Sequence, residues 1–271
     1  MIEARTSLKG SATAVAAIAA ASGGAVAADV STLRPVPVAA PSWEGFYAGA
    51  SLGASWLSSN QDPGGVDVGA QGFTGAGAGA AGTTAGATGL LLGLQGGYNW
   101  QHSNFVFGVE ADISWIGSNT ASSNATFGAG SYGAASSSSS SRINALATFR
   151  TRFGIDFNGT LPFLTAGLAL GRIQNTFSMI AYSGGGNPPG AFGTSGESWV
   201  PGVVVGGGIE HQLTRQWTLR GDIQWVGFES RQLGNPLPAT ALGYAGAINK
   251  GGAEKFTNSL TLGKVGLNYR F

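Results

Sequence analysis

Apolar and polar residues alternate with a period of two in repeated stretches of the chain after residue 43. The alternation is clearest in 104–116, 142–157, 216–228 and 264–271. An amphipathic helix would instead place apolar residues at every third or fourth position, so this period predicts β-strands. In the third of these stretches one parity carries Trp217, Leu219, Ile223 and Trp225, and the other carries Thr218, Arg220, Asp222 and Gln224.

Weaker alternation in four more stretches brings the number of predicted strands to eight. Each predicted strand has roughly twelve residues, whereas strands of soluble sheets most often have about five or six. Tilted strands that cross a membrane need about 9–11 residues, so the lengths favour transmembrane strands. The four weaker stretches are Glu44–Trp56, Gly89–Trp100, Leu161–Arg172 and Ser198–Gln212.

Short turns and long segments alternate between the predicted strands, which places all short turns at one end, as in bacterial outer-membrane barrels. We therefore predict an all-β fold: an eight-stranded antiparallel transmembrane up-and-down β-barrel with four long external loops and short periplasmic turns. An extra hairpin in Val66–Phe73 would make ten strands, the alternative. The turns are Gln101–Ser103, Asn158–Thr160 and Leu213–Arg215, and the long segments are Leu57–Thr88, Gly117–Ser141, Ile173–Glu197 and Glu229–Phe256.

The large apolar side chains are predicted to face lipid, and the small and charged ones to face the barrel interior. Eight strands enclose a space just wide enough for side chains to fill, and inward-facing apolar side chains from all eight would overfill it. In 142–157 this reasoning assigns Ile143, Ala145 and Phe149 to the lipid face. Tryptophans near strand ends are predicted to form an aromatic girdle at the membrane interfaces. They are Trp43, Trp56, Trp100, Trp115, Trp199, Trp217 and Trp225.

Composition and charge exclude several functions. Only 10% of the 271 residues are charged, against about 25% in ordinary soluble domains. The net charge of +1 argues against a nucleic-acid partner. The chain has no Cys, which excludes disulfides, thiol nucleophiles and thiolate metal sites. His102 and His211 fall at or beside predicted turns, and neighbouring strand residues such as Glu210 and His211 point to opposite faces. We expect no catalytic, cofactor or metal site.

The N-terminus carries the features of an export signal. A basic start is followed by the apolar run Ala12–Ala21, and Ala25-Val26-Ala27 has the small-x-small pattern that precedes signal cleavage. We predict a signal peptide over residues 1–27, cleaved between Ala27 and Ala28. Three prolines make residues 28–42 an extended periplasmic tether, and residues 43–271 form the barrel.

Several patches of sequence resemble a known family. The opening Trp43-Glu44-Gly45-Phe46-Tyr47-Ala48-Gly49 is similar to the W-x-G-F-Y-x-G start of small alphaproteobacterial outer-membrane proteins of the RopB type. The run Gly206–Phe228 and the end Val265–Phe271 also resemble that family. The resemblance implies an outer-membrane location and a structural, surface-antigen or porin-like role without a catalytic site.

The last strand resembles the signal that the β-barrel assembly machinery recognises. Its final residue is aromatic, and apolar residues alternate before it. We predict that this strand carries the C-terminal assembly signal. Its residues are Val265, Leu267, Tyr269 and Phe271.

The predicted inward faces bring together acidic and basic residues. A charge in a narrow, poorly hydrated interior must be paired or hydrogen-bonded. In particular, we expect Glu210 and Lys264 to lie in one layer with Arg220 and Asp222. The predicted lumen charges are Glu110, Asp112, Arg150, Arg152, Glu210, Arg220, Asp222, Lys264 and Arg270.

Two functions follow from this interior. A fully paired network would plug the barrel and leave a structural, surface-exposed protein whose loops contact the envelope or a host. A looser, hydrated network would make a small porin-like channel for passive diffusion. The narrow cross-section of eight strands favours the plug. The expected partners are outer-membrane lipid and lipopolysaccharide, the assembly machinery and external ligands of the loops; no oligomeric state is predicted.

Overall fold

The computed structural model describes residues 42–62, 83–128, 134–181, 190–234 and 253–271. The predicted signal peptide, the tether up to residue 41 and Val66–Phe73 lie outside the described residues. The described part of the chain contains no helix long and apolar enough to cross a membrane.

The described residues form ten β-strands, all antiparallel to their partners. The strands are β1 (Gly45–Asp62), β2 (Thr83–His102), β3 (Phe105–Gly117), β4 (Thr120–Gly128), β5 (Ala134–Ile155), β6 (Thr160–Ala181), β7 (Gly190–Gln212), β8 (Trp217–Phe228), β9 (Arg231–Gly234) and β10 (Ala253–Arg270).

These strands close into a ring of eight. The order around the ring is β1-β2-β3-β5-β6-β7-β8-β10, and β10 pairs back onto β1, with Ala48 opposite Tyr269. Strand β4 continues β3 along the same edge of β5, and β9 continues β8 along β10. The predicted eight-stranded antiparallel barrel is therefore confirmed.

The strands reach further into the long segments than the alternation predicted. Strands β6 and β7 have 22 and 23 residues. Ser136–Ser141, predicted as loop, pairs residue by residue with Asn175–Ile180 of β6. Backbone hydrogen bonds need no apolar alternation, so runs of Ser, Ala, Gly and Thr join the sheet without a sequence signal. The predicted boundaries of the long loops were wrong by about six to nine residues at most ends.

Tight connections join the strands at one end of the barrel, as predicted. Ser103 and Asn158 adopt positive φ angles of 55° and 56°, and Gly159 has a φ of 88°. The Gly159 amide donates to the Asp156 carboxylate at 2.9 Å, which holds the β5–β6 turn. Because left-handed φ values strain residues with a Cβ, glycine is the residue best suited to this position.

Side-chain direction follows the predicted polarity. In β3 and β8 exposed and buried residues alternate almost without exception. The outward positions carry the large apolar side chains, such as Leu90 at 79% exposure and Leu164 at 71%. A barrel that turns such side chains to its surroundings is built for a lipid environment.

Ile143 departs from this pattern. The prediction assigned it to the lipid face, but it is fully buried inside the barrel. The pairing of β5 with β6 shifts register between Ile143 and Ala145, and a bulge at that point changes which parity faces inward. Ala145 and Phe149, beyond the bulge, keep the expected outward parity.

Trp43 also departs from its prediction. Six of the seven tryptophans are exposed on the outer surface, whereas Trp43 is only 1% exposed. It lies inside the turn end with Val106 and Leu161, and its indole NH donates to Asp156 at 2.9 Å. Residue 43 shares the odd, inward parity of Tyr47, so parity and not closeness to a strand end decides its direction.

The core of the barrel is an apolar layer that the sequence analysis did not predict. On β8 the inward residues run from Asp222 through Gln224 to Val226 and Phe228, so this layer lies on the long-loop side of the charges. The Phe228 ring fills space that a Cβ on Gly171 would enter at 2.5 Å. The buried members of the layer are Leu57, Ala85, Leu91, Ile116, Ala121, Ile143, Leu146, Ala169, Ile173, Val200, Val204, Val226, Phe228, Leu260 and Leu262.

Candidate functional site

Glu110 on β3 is the centre of a buried ion-pair network in the barrel interior. Its carboxylate accepts short hydrogen bonds from Arg150 of β5 and from Arg220 of β8. The Tyr47 hydroxyl donates to it at 2.6 Å. Arg150 lies directly opposite Glu110 in the β3–β5 register, but β3 and β8 are four strands apart in both directions round the ring. The Arg220–Glu110 pair therefore spans the lumen.

A second ion pair joins β5 to β7. Arg152 Nη2 lies 2.7 Å from Glu210 Oε2. The other oxygen of Glu210 accepts from the Thr218 hydroxyl at 2.5 Å and from the Asn268 amide at 2.8 Å. Glu210 thus has three partners on three strands. Shared donors of this kind offset the cost of burying a carboxylate.

Two further carboxylates complete the network. Lys264 Nζ on β10 lies 2.7 Å from Asp112 of β3 and donates to Ser114 at 3.1 Å. Arg220 Nε lies 2.9 Å from Asp222, its neighbour on the same face of β8. Lys264 and Asp112 are three strands apart in the ring, so this pair also crosses the interior.

The arginines are held by an aromatic ring as well as by carboxylates. The Phe163 ring lies 4.5 Å from the Arg152 guanidinium carbon and 4.7 Å from that of Arg220. A guanidinium group is attracted to the face of an aromatic ring, and this cation–π attraction is strongest when both groups are desolvated. Phe163 is itself buried and points inward from β6. It therefore contacts both the arginine that pairs with Glu210 and the arginine that pairs with Asp222.

Four carboxylates balance four cations in this layer. All eight side chains are at most 4% exposed. Six of them, all but Arg152 and Glu210, line a narrow gap together with Gln95 and Gln224. The four acidic and four basic side chains thus neutralise one another inside the barrel. The eight residues are Glu110, Asp112, Arg150, Arg152, Glu210, Arg220, Asp222 and Lys264.

Arg270, the ninth predicted lumen charge, lies apart from the other eight. Its guanidinium carbon is 5.4 Å from the centre of the Trp43 ring, at the turn end of the barrel. It is only partly buried and makes no ion pair within 4.0 Å with any described residue.

The register agrees with the expected layer, but the ion pairs do not follow the neighbours in the sheet. Glu210 does lie opposite Arg220, and Asp222 opposite Lys264. Arg220 nevertheless pairs with Glu110 and Asp222, and Lys264 with Asp112. Long side chains reach across a narrow lumen to better partners than their sheet neighbours, which a strand-by-strand reading does not detect.

Sequence reasoning missed the neutral members of this site. Parity alone places Tyr47, Phe163 and Thr218 inward, and each contacts a network charge. The sequence signal that could have found them is a polar or aromatic residue at an inward-facing strand position beside a predicted lumen charge. Gln95 and Asn268 bond to each other across β2 and β10 at 2.9 Å. Gln224 donates to Asp222.

The two histidines lie outside the lumen layer. Both His102 and His211 are exposed, and His211 Nδ1 is 2.9 Å from the Thr160 hydroxyl. Within the described residues no group of three or more His, Asp or Glu side chains is arranged to hold a metal ion.

Comparisons with known proteins identify the family. The model of the outer membrane protein β-barrel domain matches residues 13–271. The chain belongs to this family. It is similar to the 31 kDa outer-membrane immunogenic protein of Brucella melitensis, with 28% identity over 91% of this chain and 93% of the relative. The 22 kDa outer membrane protein of Rhizobium leguminosarum bv. viciae is 27% identical over 71% of this chain and 67% of the relative.

Solved structures of the same kind are also similar to this outer-membrane barrel. The alignment with Neisserial surface protein A covers 84% of this chain and 97% of that protein, at 14% identity and a TM-score of 0.34. The alignment with outer membrane protein OprG of Pseudomonas aeruginosa covers 84% of this chain and 97% of that protein, at 11% identity and a TM-score of 0.39. The family and the names of the relatives identify this chain as a bacterial outer-membrane protein.

Proposed function

We propose that this protein is a closed, structural outer-membrane barrel that presents its long-loop end at the cell surface. The observation that carries the proposal is the set of ion pairs across the lumen, above all Arg220–Glu110 between opposite strands. These pairs bind the strands to one another and lie across the barrel interior that the described strands enclose.

The apolar layer supports the same proposal independently. Ions cross apolar constrictions poorly because they lose hydration there. Leu146, Val226 and Leu260 are fully buried beyond the charges. A solute would therefore have to pass a paired charge layer and then a packed apolar layer.

The outer ends of the strands give the protein its surface. Strands β6 and β7 continue about nine residues beyond Arg172 and Trp199, which at about 3.3 Å per residue and a tilt near 40° is roughly 20 Å along the barrel axis. This projection and the loops beyond it would contact the envelope or a host. The Brucella melitensis relative is named as immunogenic, in keeping with a surface role.

Swelling of proteoliposomes in sugars of graded size tests the closed lumen. Vesicles with the wild-type barrel should swell no faster than protein-free vesicles. Swelling that falls as the sugar becomes larger would instead support the porin-like alternative.

Labelling of introduced cysteines tests the orientation, because the natural chain has no Cys. Gln232→Cys lies at the long-loop end and Arg215→Cys in a short turn, and both positions are exposed. A membrane-impermeant maleimide should label position 232 in intact cells and position 215 only after the outer membrane is permeabilised. The reverse pattern would contradict the orientation.

A further inference from the structure

A group of cations interrupts the apolar outer surface of the barrel at its long-loop end. Arg172 of β6 lies opposite Trp199 of β7, and Arg231 Nη2 of β9 donates to the Trp199 carbonyl at 3.1 Å. One row further out, Arg142 of β5 lies opposite Gln174 of β6. Arg142, Arg172, Arg231 and Trp199 form what we call the outer cationic patch; all four are exposed.

The charge of the patch is only partly neutralised. Glu197 of β7 pairs with Arg172, at 2.7 Å from Nε, and accepts from Nη2 at 3.1 Å. Within the described residues Arg142 and Arg231 have no carboxylate within 4.0 Å. Glu229, two residues before Arg231, is exposed and makes no ion pair within 4.0 Å with a described residue. The patch therefore presents two cations that are free to bind an anion.

The surface below the patch suits acyl chains. Between the patch and the short turns, the described outward positions of β5 to β8 carry no Asp, Glu, Lys or Arg. The positions directly below the patch are apolar and exposed. They are Leu168, Leu170, Val203, Val205 and Trp225. A ligand that covers both regions has anionic groups at one end and hydrocarbon chains at the other.

We propose that the outer cationic patch binds the anionic headgroup of lipopolysaccharide, with its acyl chains along β6 to β8. The cations lie on β5, β6 and β9, so at about 4.8 Å per strand the patch is roughly 15 Å wide. This width suits a headgroup with several anionic groups better than a single phosphate, and Arg binds phosphate by paired hydrogen bonds. The choice of the outer leaflet rests on the orientation given under the proposed function.

Lipid binding to the purified barrel in detergent tests the site. Native mass spectrometry would measure retention of diphosphorylated lipid A, with dephosphorylated lipid A, phosphatidylglycerol and inorganic phosphate as competing probes. The test variant is Arg142→Gln with Arg231→Gln. The matched control is Arg215→Gln, an exposed arginine in the β7–β8 turn. The heat-dependent gel mobility of each protein confirms that it is folded.

Wild type and Arg215→Gln should retain diphosphorylated lipid A over the other three probes. The double variant should bind it about tenfold or more weakly, as expected for losing two charge-assisted contacts. Equal retention by all three proteins would overturn the site. Equal binding of phosphatidylglycerol or of free phosphate would overturn its specificity for the glycolipid. The cysteine labelling separately decides the leaflet, and lipid binding does not depend on whether the lumen conducts.

Discussion

Glu110→Gln tests the charge at the centre of the network, because Gln keeps the shape of Glu but loses its charge and replaces one accepting oxygen by an NH2 donor. The substitution leaves three carboxylates against four cations in the lumen layer. Arg220 keeps its pair with Asp222 at 2.9 Å, whereas Arg150 loses its only ion pair among the described residues. Removing one partner of a buried ion pair lowers the free energy of unfolding by about 3–5 kcal/mol. If the free energy of unfolding falls by roughly 3 kcal/mol for each molar of urea, the urea concentration at the unfolding midpoint should fall by about 1–1.7 M.

The assay is urea unfolding in detergent, followed by tryptophan fluorescence and by gel mobility without heating. Adding Arg150→Met to Glu110→Gln removes the unpaired cation and should recover at least about half of the lost stability. Glu197→Gln is the matched control, since Glu197 pairs with Arg172 on the exposed surface and should cost no more than about 1 kcal/mol. Equal losses at Glu110 and Glu197, or no recovery in the double variant, would refute the buried network.

Two further predictions concern biogenesis. Phe271→Asp should lower the fraction of folded barrel in the outer membrane while export across the inner membrane continues. Phe157→Asp, at another exposed aromatic residue beside a short turn, should not lower that fraction. Equal effects of the two would make Phe271 an ordinary strand end. Cleavage of the Ala27–Ala28 bond should give a mature protein that begins Ala-Asp-Val on N-terminal sequencing, and membrane-extracted protein that still begins with Met1 would contradict export by a cleaved signal.

The barrel could be predicted from sequence because its transmembrane strands repeat one simple contrast. Positions such as Trp217 and Leu219 meet the surroundings, and Thr218 and Arg220 meet the lumen, so a period of two is enough. Strand length and the alternation of connections then lead to a closed ring with its short turns together. The outer strand extensions escaped prediction because Ser136–Ser141 has no such contrast.

The partners in the lumen could not be predicted because they depend on closure of the ring. Arg220 and Glu110 are 110 residues apart and on opposite strands, so neither parity nor neighbouring register brings them together. A single bulge at Asn144 reversed the assignment of Ile143. The apolar layer escaped prediction because large apolar side chains were expected to face lipid, whereas Leu91, Leu146 and Phe228 lie on the inward parity.

Ion conductance of single wild-type barrels in a planar bilayer tests the closed lumen most directly. With the charge layer paired and the apolar layer packed, we predict no current steps above the lipid baseline at high salt. Arg220→Ala, which opens the pair across the lumen, serves as the comparison. Reproducible steps in the wild type that Arg220→Ala leaves unchanged would contradict the plug and establish a diffusion pore in its place.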